Sequence, residues 1–177
     1  MRFWARLLFY PTLLWNLLLN RINPRRRWWD WLNDSVLLGA LPFASHVAEL
    51  KALGIGAVVN TCDEYRGPQK AYAAAAIDQC YIPTVDFTPP SLADLECSVR
   101  FIREQIAAGK KVYIHCKAGR GRSATVAACY LITQGHTPES AQKLMLEKRP
   151  HVNAFIFQRP VVLRFYENFK KKGAKDQ

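Results

Sequence analysis

The stretch KVYIH–CKAGRG–RSATVAACYLI, residues 111–132, limits the possible folds more than any other part of the chain. A run of β-forming residues enters a short turn holding Gly119 and Gly121, and the turn opens directly into an apolar helical pattern. A strand that feeds a helix in this way is the unit from which parallel sheets covered by helices are built. The same alternation recurs along the chain. Residues 35–40 (SVLLGA), 56–62 (GAVVNTC) and 79–85 (QCYIPTV) read as further strands. Residues 46–54 read as a short helix ending on Gly54, and 68–76 as another. Residues 91–110 have Ser91 as N-cap, apolar residues at helical spacing and Gly109 as the stop. Helical patterns also cover 122–135, a segment with Thr137 as N-cap and Pro138 at the first helical position, and 158–171. The expected fold is α/β: a small, mostly parallel sheet flanked by helices over residues 30–171, with an N-terminal hydrophobic anchor over 1–29 and a disordered basic tail over 172–177. No internal repeat or low-complexity tract interrupts it.

The amino-terminal segment differs from the rest. The chain carries a formal net charge of +11. No Asp or Glu precedes Asp30, whereas Arg2, Arg6, Arg21, Arg25, Arg26 and Arg27 do. That bias points to an anionic partner. Residues 7–19 are nearly all apolar but fall short of the roughly 20 needed to cross a bilayer core. The flank NPRRRWWDW adds residue types that settle at a lipid headgroup boundary. The segment therefore reads as a membrane anchor, lying in the interface or inserted, on an otherwise monomeric domain. A core helix packed on the domain and an uncleaved organelle-targeting sequence share the pattern. Nucleic acid is not expected, because its basic residues would be interleaved with polar contacts rather than with Leu and Trp.

The five cysteines are Cys62, Cys80, Cys97, Cys116 and Cys129. No C-x-x-C pair or histidine spacing suggests zinc, and an odd, scattered set suits a reducing compartment. Cys116 opens the turn. Lys117, Ala118, Gly119, Arg120 and Gly121 supply backbone N–H groups, and the following helix adds its own unsatisfied ones. Such a nest holds a tetrahedral dianion. Inward N–H groups, the helix dipole and Arg122 all favour thiolate over thiol at Cys116. Arg122 can grip two phosphate oxygens, and Ser123 can hydrogen-bond the sulfur and ease its departure. His115 points away from its neighbour and is expected to brace the loop backbone. The site calls for no metal or cofactor.

HCKAGRGRS resembles the His-Cys-x5-Arg-Ser/Thr signature of the cysteine-dependent phosphatases. That resemblance implies a phospho-cysteine intermediate on Cys116 and a carboxylic acid on an upstream loop. Asp86, at the end of a strand, fits that acid better than Asp94, which lies in the first turn of a helix. LLFYPTLL, VLLGALP, DEY, PTVDFT and YIHCKAGRGRSAT, in this order, are similar to the mitochondrial-type lipid phosphatases that convert phosphatidylglycerophosphate to phosphatidylglycerol. The resemblance implies an anionic phospholipid substrate at an inner membrane, mitochondrial on the matrix side or bacterial on the cytoplasmic side. Phosphoinositides, phosphoproteins and a non-catalytic phosphate-binding role stand as alternatives. Lys117, Arg120 and Glu64 are expected at the substrate headgroup, and Gln158 beside the attacking water. The chain departs from the family at Asp63-Glu64-Tyr65-Arg66, where Glu-Glu-Tyr-Glu is usual, and at Gly121, where vertebrate members have Ser. Cys62, at the end of a buried strand, is expected beside Cys116 as a redox partner.

Overall fold

The computed structural model describes residues 27–173 together with Pro11, Leu13, Leu14 and Leu18. Most of the expected anchor, and residues 174–177 of the expected tail, lie outside the described residues. Five strands form one sheet: β1 (Trp29–Trp31), β2 (Val36–Gly39), β3 (Ile55–Cys62), β4 (Asp78–Thr84) and β5 (Lys111–His115), ordered β1-β2-β5-β3-β4. β2, β5, β3 and β4 are parallel, and β1 pairs antiparallel with β2.

Alternate residues of each strand serve opposite faces, as the pleat requires. Val36, Leu38, Val112 and Ile114 point to a layer made by α3 (Leu92–Ala107), α4 (Arg122–Thr133), α5 (Pro138–Lys148) and α6 (Pro160–Gly173). Leu37, Val58 and Tyr113 point to a smaller layer that includes α1 (Val47–Ala52) and α2 (Gln69–Ala74). With both faces covered, every residue of β3 is buried, which explains its apolar run from Ile55 to Val59. α4 is buried from Arg122 to Ile132, and its small residues let it lie close on the middle of the sheet. Ser91 caps α3 through Asp94 N at 3.2 Å, and Thr137 with Ser140 forms a capping box on α5. Asp94 is thus engaged at a helix N-terminus, where it also accepts from Ser91 Oγ at 2.7 Å.

Two boundaries differ from the sequence reading. Trp29, assigned to the flank of the anchor, lies in the edge strand β1, so the folded domain starts before residue 30. Its ring meets Tyr113 edge-on at 5.8 Å, while Lys111 Nζ lies 4.9 Å above Trp31. At the other end, Lys172 and Gly173 belong to α6 and not to a disordered tail.

Candidate active site

The carboxyl ends of β3, β4 and β5 converge on the turn 116–121, which is the N-terminal approach to α4. Cys116 is 4% exposed, and its Sγ accepts hydrogen bonds from Gly119 N and Ser123 Oγ, each at 3.2 Å. Burial pushes the thiol up, but the Arg122 charge and the hydrogen bonds from Ser123 and the Arg120 backbone outweigh it and bring it down to about 7. The sulfur is therefore substantially ionised at neutral pH.

The turn holds its shape by having its carbonyls tied outward. Arg149, 1% exposed, donates from Nε to Gly119 O at 3.0 Å and from Nη2 to Ala118 O at 3.2 Å. Its Nη1 pairs with Asp30 of β1 at 2.6 Å. Outward carbonyls leave the loop N–H groups facing the sulfur. Gly119 is required twice over: its φ is +67°, and a Cβ there would lie 2.4 Å from the Gly39 carbonyl carbon. Gly121, expected to share that role, has φ −121° and instead caps α4, its carbonyl accepting from Thr125. Arg149 opens RPHVNAFIFQ, a stretch that resembles a second motif of the dual-specificity phosphatases and from which the sequence reading took only Gln158; nothing in the sequence shows that this arginine turns back onto the loop.

Arg122 is buried, and a pair of acids and a carbonyl aim it. Its Nη1 donates to Glu64 Oε2 at 2.8 Å and to Thr84 O at 2.7 Å, and Nη2 lies 3.1 Å from Asp86 Oδ1. Nε and Nη2 make no hydrogen bond in the structure. That unbonded edge is the one a guanidinium uses to hold two oxygens side by side.

Of the three expected headgroup residues, two have ion-pair partners within the chain and one lies at the rim. Lys117 is 6% exposed, and its Nζ donates to Asp86 Oδ2, so its charge clamps the acidic loop over the turn. The Glu64 side chain is 3% exposed and spent on Arg122. Arg120 stays on the exposed rim, where Nε donates to His151 O at 2.8 Å. A sequence cannot show that a lysine will turn toward a carboxylate 31 positions away.

His115 is fully buried, stacked on Tyr113 at 5.6 Å, with Nδ1 3.4 Å from Cys116 O. Burial pushes it down to about 3, so it is neutral and makes a poor proton donor. Thr61 Oγ1 donates to His115 O at 3.0 Å and ties β3 to the start of the turn. Gln158 is exposed, while the adjacent Arg159 turns inward and donates to Thr125 Oγ1 at 2.6 Å. Cys62 is a fully buried free thiol, pushed well up by burial and lowered only in part by Arg122. It feels the charge on Cys116, as two thiols of one site do.

A thiolate held by loop N–H groups, beside a guanidinium whose Nε and Nη2 make no hydrogen bond and a carboxyl group paired with that guanidinium, can bind and attack a phosphate ester. Residues 36–166 match the dual specificity phosphatase catalytic domain. The chain belongs to the dual-specificity phosphatase family. It is a phosphatase, a phosphoric monoester hydrolase, and relatives of this phosphatase are lipid phosphatases by name. It is 42% identical to the phosphatidylglycerophosphate phosphatase PTPMT2 of Arabidopsis thaliana, over 91% of this chain and 72% of that one. It is 35% identical to the phosphatidylglycerophosphatase and protein-tyrosine phosphatase 1 of Mus musculus, over 97% and 94% of the two chains. The crystal structure of PTPMT1 in complex with PI(5)P superposes with a TM-score of 0.76 at 29% identity, covering 83% of this chain and 99% of that one.

Proposed function

We propose that this phosphatase hydrolyses phosphatidylglycerophosphate to phosphatidylglycerol at a membrane surface, through a phosphoryl group carried on Cys116. The observation that carries the reading is the buried Cys116 sulfur, brought down to about 7 with the help of the Arg122 charge, together with the Nε and Nη2 atoms of that arginine, which make no hydrogen bond. The names of the relatives supply the substrate.

In the first step the Cys116 thiolate attacks phosphorus and the ester P–O bond breaks. Asp86 gives a proton to the departing alkoxide, a contribution of about 10²–10⁴ in rate. The equatorial oxygens lie against the loop N–H groups and the Arg122 edge. In the second step Asp86 takes a proton from water, the water oxygen attacks phosphorus, and the P–S bond breaks. The Ser123 hydroxyl steadies the thiolate that leaves. Lys117 holds the Asp86 loop closed, Glu64 aims Arg122, and Gln158 remains a candidate to position the water.

Membrane attachment through residues 1–29 is part of the proposal, with the inner membrane of a mitochondrion (matrix side) or of a bacterium (cytoplasmic side) as its location and a monomer as its working form. Exposed Leu14 and Leu18 support it. So do Phe87, 83% exposed beside Asp86, and Phe155, 64% exposed two residues beyond Asn153, which bonds the phosphate loop at Arg120 O. Apolar residues bared near the phosphate loop are suited to entering the headgroup layer. No helix among the described residues is long and apolar enough to cross a membrane.

A phosphoinositide is the second reading, favoured by the PI(5)P bound to the related structure. Rates on phosphatidylglycerophosphate, phosphoinositides and phosphotyrosine peptides at equal concentration test both. The proposal expects the first to be fastest. Equal or better turnover of the peptides would refute a lipid substrate.

A further inference from the structure

Each buried or half-buried cation around the phosphate loop meets a carboxylate or a loop carbonyl, except one. Arg122 is reserved for the transferring phosphoryl group, Lys117 is paired with Asp86, and Arg149 ties the outward carbonyls. Arg159 is half-buried, yet among the described residues no carboxylate pairs with it. Burying a guanidinium without an anion is costly, and burial indeed pulls Arg159 down, opposed by the charge of Cys116.

The residue is held in place. Its N–H donates to Ile156 O at 3.1 Å, and its carbonyl receives Val162 N and Leu163 N at the start of α6. The segment before it is pinned by buried Gln142, which binds Asn153 O at 3.1 Å and Ile156 N at 3.0 Å. One side of the guanidinium rests on Thr125 Oγ1, which itself donates to Gly121 O at 2.9 Å. The other reaches toward the loop: a methyl placed on Gly121 would lie 3.6 Å from Nη2. A Cβ at that distance would be in ordinary contact with the guanidinium, so Arg159 stands directly beside the Gly121 edge of the loop.

We propose that Arg159 and the Gly121 edge of the loop form a second anion subsite adjoining the catalytic one. It takes a further phosphate, diester or monoester, joined by a short linker to the phosphate under attack. Arg120, at the exposed rim of the same turn, marks the outer side of that subsite. The inference rests on Cys116 as the nucleophile and adds to it a residue that selects substrates carrying a second phosphate.

The test uses water-soluble substrates, so that membrane binding plays no part. The full chain is assayed on glycerophosphoglycerophosphate, the deacylated headgroup with one diester and one monoester, and on glycerol 3-phosphate, which has the monoester alone. The readout is the ratio of the two kcat/KM values. Arg159→Gln is expected to lower that ratio by about ten- to a hundredfold, the loss of one charge-assisted hydrogen bond. Arg159→Lys, which keeps the charge, should retain most of the ratio. An unchanged ratio in Arg159→Gln, whether both rates fall together or neither does, overturns the subsite. If instead Cys116→Ser still turns over either substrate, it is the parent reading that fails.

Discussion

Replacing Ser123 by alanine removes the side-chain hydrogen bond to the Cys116 sulfur and leaves those from the loop backbone in place. The hydroxyl donates to Sγ at 3.2 Å, Gly119 N donates at the same distance, and Arg122 supplies the field. A hydrogen bond to a charged group contributes roughly 1.5–3 kcal/mol, and 1.36 kcal/mol corresponds to about one pKa unit. The thiolate should therefore form not at about 7 but one to two units higher. At pH 6, below both midpoints, reactive thiolate falls about ten- to a hundredfold. The measurement is the pH dependence of iodoacetamide labelling, read on the peptide that carries Cys116. The variant should also accumulate phosphoenzyme, because the sulfur leaves without its donor. Folding stability gives an independent check. Folded Cys116 loses its proton at about 7 and the reference thiol at 9.0. Its contribution, on the order of 2–3 kcal/mol, is complete above the higher value and lost as pH falls through the lower. That pH-dependent difference from Cys116→Ser should shrink in Ser123→Ala. An unchanged labelling midpoint would refute the argument that Ser123 sets the thiolate.

Other perturbations separate the remaining parts of the site. Asp86→Asn should slow hydrolysis of alkyl phosphates by about 10²–10⁴ and that of p-nitrophenyl phosphate far less, since nitrophenolate leaves without a proton; equal losses would remove Asp86 from the acid role. Arg149→Met should cost about 3–5 kcal/mol in urea denaturation by stranding Asp30 and freeing the carbonyls of Ala118 and Gly119. A shift under about 1 kcal/mol would mean that the loop holds its shape unaided. Peroxide should oxidise Cys116 and Cys62 to a disulfide with loss of two protons and two electrons, reversibly by dithiothreitol. Recovery of activity should fail in Cys62→Ser, and absence of the Cys62–Cys116 peptide in the wild type would end that idea.

Much of this site was readable before any coordinates. Strand, glycine turn and apolar helix are contiguous from 111 to 132, so sequence order alone places Cys116, Arg122 and Ser123 together. What could not be read depends on distant partners. WWDW serves equally as a headgroup flank and as an edge strand, because aromatic residues favour both settings and a three-residue strand is too short to show alternation. Lys117 and Glu64 looked like substrate contacts because they are charged and adjoin the right loops. Their side chains instead satisfy Asp86 and Arg122, which only tertiary packing brings near. The two glycines look alike in sequence, yet Gly119 alone has the left-handed backbone. Arg159 lies outside any motif, and its role follows from what does not pair with it.

The central claim is a phosphoryl group on one named sulfur, taken from a lipid. Rapid acid quench of the full chain during turnover of phosphatidylglycerophosphate, followed by peptide mass analysis, tests it directly. The account predicts a phosphoryl adduct on the peptide bearing Cys116, enriched in Ser123→Ala and absent from Cys116→Ser. An adduct on another residue, or undiminished turnover by Cys116→Ser, would contradict it.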